Sequence, residues 1–272
     1  MKIKQLTLCV WFIVLGWWAG AAHAMPVELS DQEAQRIGRL IWHNECGGTV
    51  IGLTMWNAGE EFPSLGIGHF IWYPSGTTGP YQESFPSMIA YLVEQGVEVP
   101  AWVRQAQGCP WPTREAFMKD LHGAQLTELR AMLEKNVAHQ ARFAARRFLQ
   151  SLPRILQASV PEHRASLEAK FRLLASDPHG LYALMDYVNF KGEGVNPAER
   201  YAGEGWGLLQ VLERMPPATN AREGLDSFAD AAIAVLSRRI ELSPAHRGEV
   251  RWRLGWTRRC DSYRISSSPT GQ

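Results

Sequence analysis

One short stretch of β-type sequence lies inside a chain that is otherwise patterned for helices. Residues 49–70 are rich in β-branched and aromatic side chains, and Asn57-Ala58-Gly59 and Gly66-Ile67-Gly68 interrupt them. Turn residues at these positions predict a small hairpin or a three-stranded sheet. A short helix, a β patch and a helical lobe, in that order, indicate an α+β fold that is mostly helical.

The segment before the β patch carries both ends of an amphipathic helix. Ser30 and Glu33 have the spacing of a capping box, and Ile37, Leu40 and Ile41 follow with helical periodicity. The pair Gly47-Gly48 ends the helix, because glycine adopts the left-handed conformation that terminates helices. The sequence therefore predicts that Glu45 stands in the last turn.

Helical patterns dominate from Thr113 to the end of the chain, and prolines separate them. One further helix is expected around residues 87–95. The other predicted helices cover residues 114–121, 125–149, 164–175, 181–191, 205–214, 226–238 and 245–254.

The first residues have the pattern of an export signal. Lys2 and Lys4 precede an uncharged apolar run at residues 6–18, and Ala22-His23-Ala24 places small residues before a cleavage site. An uncleaved membrane anchor is the alternative, although the run is short for a bilayer. No later segment is apolar enough to span a membrane. The sequence predicts a periplasmic or secreted protein with a signal peptide (1–24), a folded domain (25–265) and a loose tail (266–272).

Composition excludes some classes of partner. The chain has 28 Lys and Arg residues against 27 Asp and Glu residues among its 272, and this balance argues against nucleic-acid binding. Its 11 tryptophans either fill a core or stack on sugars or partners.

Cys46, Cys109 and Cys260 lie beyond the predicted signal peptide. Their spacing does not match a zinc site, and no metal is expected. In an oxidising compartment, we expect one disulfide and one free thiol. Cys46 is the expected free thiol, because a crosslink there would constrain the junction between helix and sheet.

Glu45 is the candidate general acid. The C-terminal end of a helix carries partial negative charge, and apolar surroundings also disfavour an ionised carboxylate. Both effects favour the protonated form that a general acid needs. A solvated helix-end glutamate with no role is the alternative.

The order of these features resembles the phage-type lysozymes, a group of glycoside hydrolases. In this chain the matching segments are residues 41–47, which contain Glu45, then 55–57, then Ser64-Leu65-Gly66-Ile67-Gly68-His69. Later segments follow in the family's order: residues 183–193, 208–212, 243–247 and 254–256. The resemblance does not extend across residues 72–180, which are expected to form an enlarged connection between lobes.

The resemblance implies a lysozyme-like fold and cleavage of the β-1,4 bond between N-acetylmuramic acid and N-acetylglucosamine in peptidoglycan glycan strands. It implies no cofactor. Asn57 stands where the family has a second acidic residue, so Glu60 or Glu61 would have to supply the carboxylate. Ser64 replaces the usual threonine and would position a water. Substrate contacts are implied for Asn57, Asn189 and Arg247, the last resembling a basic residue near the family's catalytic glutamate.

Two other functions remain open from the sequence. Glu193, Asn196-Pro197 and residues 205–211 are reminiscent of soluble lytic transglycosylases, although Gly194 stands where those enzymes have serine. In that reading Glu193 is the acid. Alternatively, the chain has lost catalysis and binds glycans or an unknown partner through tryptophan and tyrosine. His69 is expected to be a buried structural residue.

Overall fold

The structure is a computed structural model that describes residues 29–79 and 81–265. The predicted signal peptide and the predicted loose tail lie outside the described residues. The helices are α1 (Asp31–Cys46), α2 (Phe85–Glu94), α3 (Ala101–Gln105), α4 (Arg114–Lys119), α5 (Ala124–Lys135), α6 (Val137–Leu149), α7 (Leu152–Ala158), α8 (Arg164–Ala175), α9 (Pro178–Lys191), α10 (Leu208–Arg214), α11 (Ala221–Leu242) and α12 (Arg253–Asp261).

The strands are short and antiparallel. The first sheet has the order β1 (Thr54–Met55), β2 (Ser64–Leu65), β3 (Phe70–Ile71), and a separate hairpin pairs β4 (Arg200–Tyr201) with β5 (Glu204–Gly205). In the first sheet Thr54 is paired with Leu65, which is paired in turn with Phe70. The mostly helical α+β prediction is therefore confirmed, and the first sheet lies where the sequence placed it.

Helix α1 has the ends that its sequence predicts. The Ser30 hydroxyl accepts the Glu33 backbone N–H at 3.3 Å, while the Glu33 carboxylate accepts the Ser30 N–H at 2.9 Å. Gly47 ends the helix with φ +61°. The helix lies along α6, and Gly38 allows the close approach, because a Cβ there would overlap Val137.

The tryptophans of the β patch and of the following helices are mostly packed inside. Trp56, Trp72 and Trp111 are buried, and Trp102 is half-buried and lies edge-on to Trp111 with ring centroids 5.8 Å apart. Buried aromatic side chains of this kind stabilise a core through area and edge-to-face contact. Of the two roles open to these residues, the structure shows packing.

Local capping changes several predicted helices. The helix expected over residues 125–149 is two helices, α5 and α6, which meet at Asn136. The Asn136 side chain donates to the Met132 carbonyl at 2.8 Å, and its own carbonyl accepts the first bond of α6 from Gln140. The prediction over residues 245–254 was also wrong, because this stretch forms two short 3-10 helices before α12.

Gly66 makes a close approach between the sheet and α6. The Ile67 N–H donates to the buried Gln140 side chain at 3.0 Å, and a Cβ on Gly66 would overlap that same amide oxygen. Gly66 also has φ +74°, which an L side chain rarely adopts. The close backbone approach expected of this glycine is therefore present.

We expect Gly66→Ala to lower the free energy of unfolding by about 3 kcal/mol, which combines left-handed strain with overpacking. Gly59→Ala is the matched control, since Gly59 has φ +86° but open space around it. The control should lose only about 1–2 kcal/mol. Equal losses in urea denaturation of the two variants would show that the contact with Gln140 does not matter.

The cysteines differ from the expectation. Cys46, Cys109 and Cys260 are all free, so the expected disulfide is not formed among the described residues. Each thiol has separate surroundings: Cys46 lies beside His69, and Cys109 lies near the Trp111 carbonyl, while Cys260 is buried on α12. Burial raises the pKa of each thiol to about 12.

We expect iodoacetamide to label Cys46 slowly in the folded protein, because Cys46 is half-buried but its thiolate is scarce at neutral pH. Cys109 and Cys260 should be labelled only after unfolding. Peptide mass mapping before and after denaturation tests this order. Labelling of Cys260 before Cys46 would contradict it.

None of the helices in the described ranges combines the length and the apolar composition that a membrane crossing requires.

Candidate active site

Glu45 is the last but one residue of α1, and its carboxylate contacts a residue from the far end of the chain. Its side chain is 20% exposed. Arg259, on α12, donates from Nη2 to Glu45 Oε1 at 2.8 Å. The two residues are 214 positions apart in sequence, so the contact joins the first and last described helices.

A buried carboxylate holds Arg259 in place. Asp186 on α9 is 1% exposed and accepts two hydrogen bonds from the Arg259 guanidinium, at 2.7 and 2.8 Å. The Tyr263 hydroxyl donates to Asp186 at 2.6 Å, and the Asn44 amide donates to it at 3.0 Å. Burial alone lowers the pKa of Arg259, but the hydrogen bonds and charges of Asp186 and Glu45 outweigh it and raise that pKa. The guanidinium is therefore a fixed positive charge beside Glu45.

The second oxygen of Glu45 faces the end of the Gly66-to-His69 turn. His69 Nδ1 lies 3.9 Å from Glu45 Oε2, and His69 Nε2 lies 3.3 Å from Cys46 Sγ. His69 has φ +48° and a side chain that is 22% exposed. The expectation of a buried structural histidine was therefore wrong, because the turn leaves the ring partly exposed beside Glu45.

The surroundings of Glu45 are polar and charged. The sequence suggested apolar surroundings that would keep the acid neutral, but Arg259 and His69 flank the carboxylate instead. A charge-assisted hydrogen bond from a guanidinium fixes the position of the oxygen that accepts it. The carboxylate is thus oriented by one oxygen, Oε1, while Oε2 remains on the side of His69.

The basic partner of Glu45 differs from the expected one. Arg247 is exposed in a short 3-10 helix and lies 3.6 Å from Glu249. Sequence reasoning missed Arg259 and Asp186. A signal was present for Asp186, which is the one charged residue in the apolar run of residues 181–188, since a buried carboxylate needs a partner.

The residues expected to replace the hairpin acid have their own contacts in the structure. Asn57 is exposed and donates to the Glu60 carboxylate at 3.2 Å, and Glu61 is exposed. Ser64 is buried in β2. Within the part of the chain that the structure describes, no hydrogen bond or ion pair joins any of them to Glu45. Their catalytic roles therefore remain predictions.

An open cleft of about 240 Å³ lies between the first sheet and the helices α6, α7 and α9. Glu45 is not part of its wall, but two chain neighbours of the Glu45 contacts are: Gly68 precedes His69, and Asn189 follows Asp186 by about one helical turn. Its walls include Gly68, Phe70, Arg147, Arg154, Asn189 and Glu193. Asn189, expected to contact substrate, is thus an exposed part of this wall.

Glu193, the acid of the transglycosylase reading, also lines the cleft. It follows the C-terminal end of α9 and is 20% exposed. Arg154 on α7 holds it by two hydrogen bonds, at 2.6 and 3.2 Å. Both oxygens of Glu193 are thus bonded to one guanidinium, whereas Glu45 uses only Oε1 for Arg259 and keeps Oε2 available for a ligand.

No protein-family model, curated protein or solved structure matches this chain. The site itself brings together a half-buried carboxylate at a helix end, a fixed guanidinium and a histidine on a glycine-rich turn.

Proposed function

We propose that the protein has a lysozyme-like fold and cleaves the β-1,4 bond after N-acetylmuramic acid in peptidoglycan, with Glu45 as the general acid. One observation carries the proposal: the segments that match the phage-type lysozymes converge on the Glu45 carboxylate. The end of α1, the Gly66-to-His69 turn and α9 come together there, joined by Arg259. Peptidoglycan lies outside the cytoplasmic membrane, which agrees with the export signal expected in residues 1–24.

The two oxygens of Glu45 suit different tasks. Oε1 accepts the Arg259 hydrogen bond, which fixes the plane of the carboxyl group. Oε2 is the oxygen that would carry a proton to the glycosidic oxygen of the leaving sugar. A positioned general acid of this kind contributes about 10²–10⁴-fold to the rate.

Cys46 and His69 support this orientation. Because the pKa of Cys46 is raised to about 12 by burial, its thiol stays protonated at neutral pH and can donate to His69 Nε2. The histidine proton then lies on Nδ1, which faces Glu45 Oε2. In this tautomer His69 directs an N–H toward Oε2, at 3.9 Å, which is too long for a direct hydrogen bond.

Whether water or the 6-hydroxyl of the sugar attacks C1 of muramic acid depends on the presence of a second carboxylate. An inverting hydrolase needs another carboxylate roughly 6.5–9.5 Å away to activate water. Asp186 is too deeply buried for that role, Glu60 accepts a hydrogen bond from Asn57, and Glu61 is exposed. Among the described residues, no contact brings either glutamate to Glu45. We therefore favour attack on C1 by the muramic 6-hydroxyl. The C1–O bond breaks, Glu45 protonates the leaving oxygen, and its carboxylate recovers a proton from the attacking hydroxyl, which leaves a 1,6-anhydro end.

The variant in which Glu60 and Glu61 are both glutamine should cleave sacculi at close to the wild-type rate and leave 1,6-anhydromuramic ends. Its glycan products can be counted by reduction with borohydride, which modifies reducing ends only. A loss of activity by about 10²-fold or more would instead assign one of these glutamates as the base of a hydrolase.

A glycan-binding protein without catalysis is the second candidate, because an open cleft could bind a glycan strand without cleaving it. A zymogram on purified sacculi separates the two functions. A clearing band supports the enzyme, whereas retention on sacculi without clearing supports the binding protein.

A further inference from the structure

The cleft holds more positive than negative charge. Arg147, on α6, and Arg154 both line it, while Glu193 is the carboxylate among its lining residues. Arg154 and Glu193 form two hydrogen bonds with each other, so the charge of Arg154 already has a partner. In the described part of the chain, Arg147 forms no hydrogen bond or ion pair, and its guanidinium carbon lies 5.8 Å from the Phe143 ring centre.

Arg147 is half-buried, so its charge is only partly solvated. Burial lowers its pKa, and the positive charge of Arg154 lowers it further, whereas Glu193 opposes both effects. A half-buried guanidinium without a partner is a strong site for a carboxylate, because its fork of N–H donors matches two carboxylate oxygens. A ligand carboxylate would neutralise the second positive charge, which Glu193 leaves uncompensated.

Apart from Arg147, Arg154 and Glu193, the polar residues of the cleft wall are neutral. Gln82 and Gln150 stand on the cleft wall with Asn189, while Phe70 and Phe148 supply apolar surface. Side-chain amides donate to and accept from peptide bonds, and the apolar surface suits short side chains. Amides beside a single unpaired guanidinium fit an acidic peptide better than an uncharged sugar.

We infer that this cleft binds an acidic peptide, with Arg147 holding its carboxylate. The inference rests on the proposed function in one respect: the peptide is the stem carried by muramic acid, which would lie along the cleft while Glu45 acts on the adjoining bond. Arg147 and Arg154 lie in the stretch that the lysozyme resemblance does not cover, so this contact belongs to the chain's own cleft.

Binding is measured with the full chain bearing Glu45→Gln, so that no probe is cleaved. The probes are N-acetylmuramyl-L-alanyl-D-glutamate and its diamide, followed by isothermal titration calorimetry. The acid should bind at least tenfold more tightly than the diamide, as expected for a charge-assisted contact. Equal affinities for the two probes would overturn the inference.

Two further variants separate recognition from structure. Arg147→Gln should lower affinity for the acid by about tenfold and leave affinity for the diamide unchanged. Arg146→Gln is the matched control, since Arg146 is 60% exposed and faces Glu94 at 3.8 Å. It should change neither affinity, and equal losses in the two arginine variants would contradict the assignment.

Glu193→Gln should change the affinity for the acid probe in the opposite direction. Removing that carboxylate frees Arg154, so the acid probe should bind more tightly, whereas a merely structural role for the Arg154–Glu193 pair would weaken binding. Weaker binding in this variant would overturn the inference.

Selective binding of the acid through Arg147, in a wild-type protein that does not cleave sacculi, would refute the proposed function alone. Cleavage without selective binding would refute this inference alone.

Discussion

Replacing Glu45 by glutamine should lower glycan cleavage by about 10²–10⁴-fold, because the amide cannot deliver a proton to the leaving sugar. The protein should stay folded. Arg259 keeps both of its hydrogen bonds to Asp186, and the carbonyl oxygen of the glutamine can still accept from Arg259. The rate of release of soluble fragments from labelled sacculi measures activity, and thermal unfolding measures stability.

The matched control for this variant is Glu193→Gln, which removes the other half-buried carboxylate at the cleft. Glu193 is bonded to Arg154, so we expect that variant to keep catalysis within a few-fold of the wild-type rate. Full activity in Glu45→Gln with loss of activity in Glu193→Gln would move the acid to Glu193 and favour the transglycosylase reading.

Asp186→Ala should cause the largest loss of stability. The change leaves the Arg259 charge and the Tyr263 hydroxyl without their buried acceptor, and breaking a buried charge pair from one side costs about 3–5 kcal/mol. Urea denaturation measures the loss directly. Catalysis should fall as well, because Arg259 would no longer be held beside Glu45.

Asp230→Ala provides the comparison for an exposed pair. Asp230 is 72% exposed and accepts a hydrogen bond from Arg264 at 2.6 Å. Solvent screening makes such a pair worth about 1 kcal/mol or less. Similar losses in the two aspartate variants would show that Asp186 does not organise the network around Arg259.

Local sequence patterns predicted the parts of the fold that local interactions determine. The Ser30 cap, the Gly47 end of α1 and the three-stranded sheet all depend on residues close in sequence. The break at Asn136 also has a local cause, but helical periodicity runs through it. The hydrogen bonds that divide α5 from α6 become evident only in the folded backbone.

The site was predictable only in part, because its contacts join distant segments. The sequence singled out Glu45 and the turn that ends at His69, since each lies at a recognisable junction. Arg259 and Asp186 are 73 positions apart and meet through helix packing, which a local pattern does not report. The choice of Arg247 followed the order of the resemblance. The packing of α12 against α11 and the hydrogen bonds to Asp186 on α9 instead place Arg259 beside the acid.

The most direct test of the account is mass spectrometry of the fragments that the purified protein releases from peptidoglycan sacculi. We predict disaccharide peptides with 1,6-anhydromuramic ends from the wild-type protein, and none from Glu45→Gln. Reducing muramic ends would retain Glu45 as the acid but place a second carboxylate in the mechanism. Fragments cut within the peptides, or the same glycan ends from Glu45→Gln, would contradict the central claim that Glu45 cleaves the glycan strand.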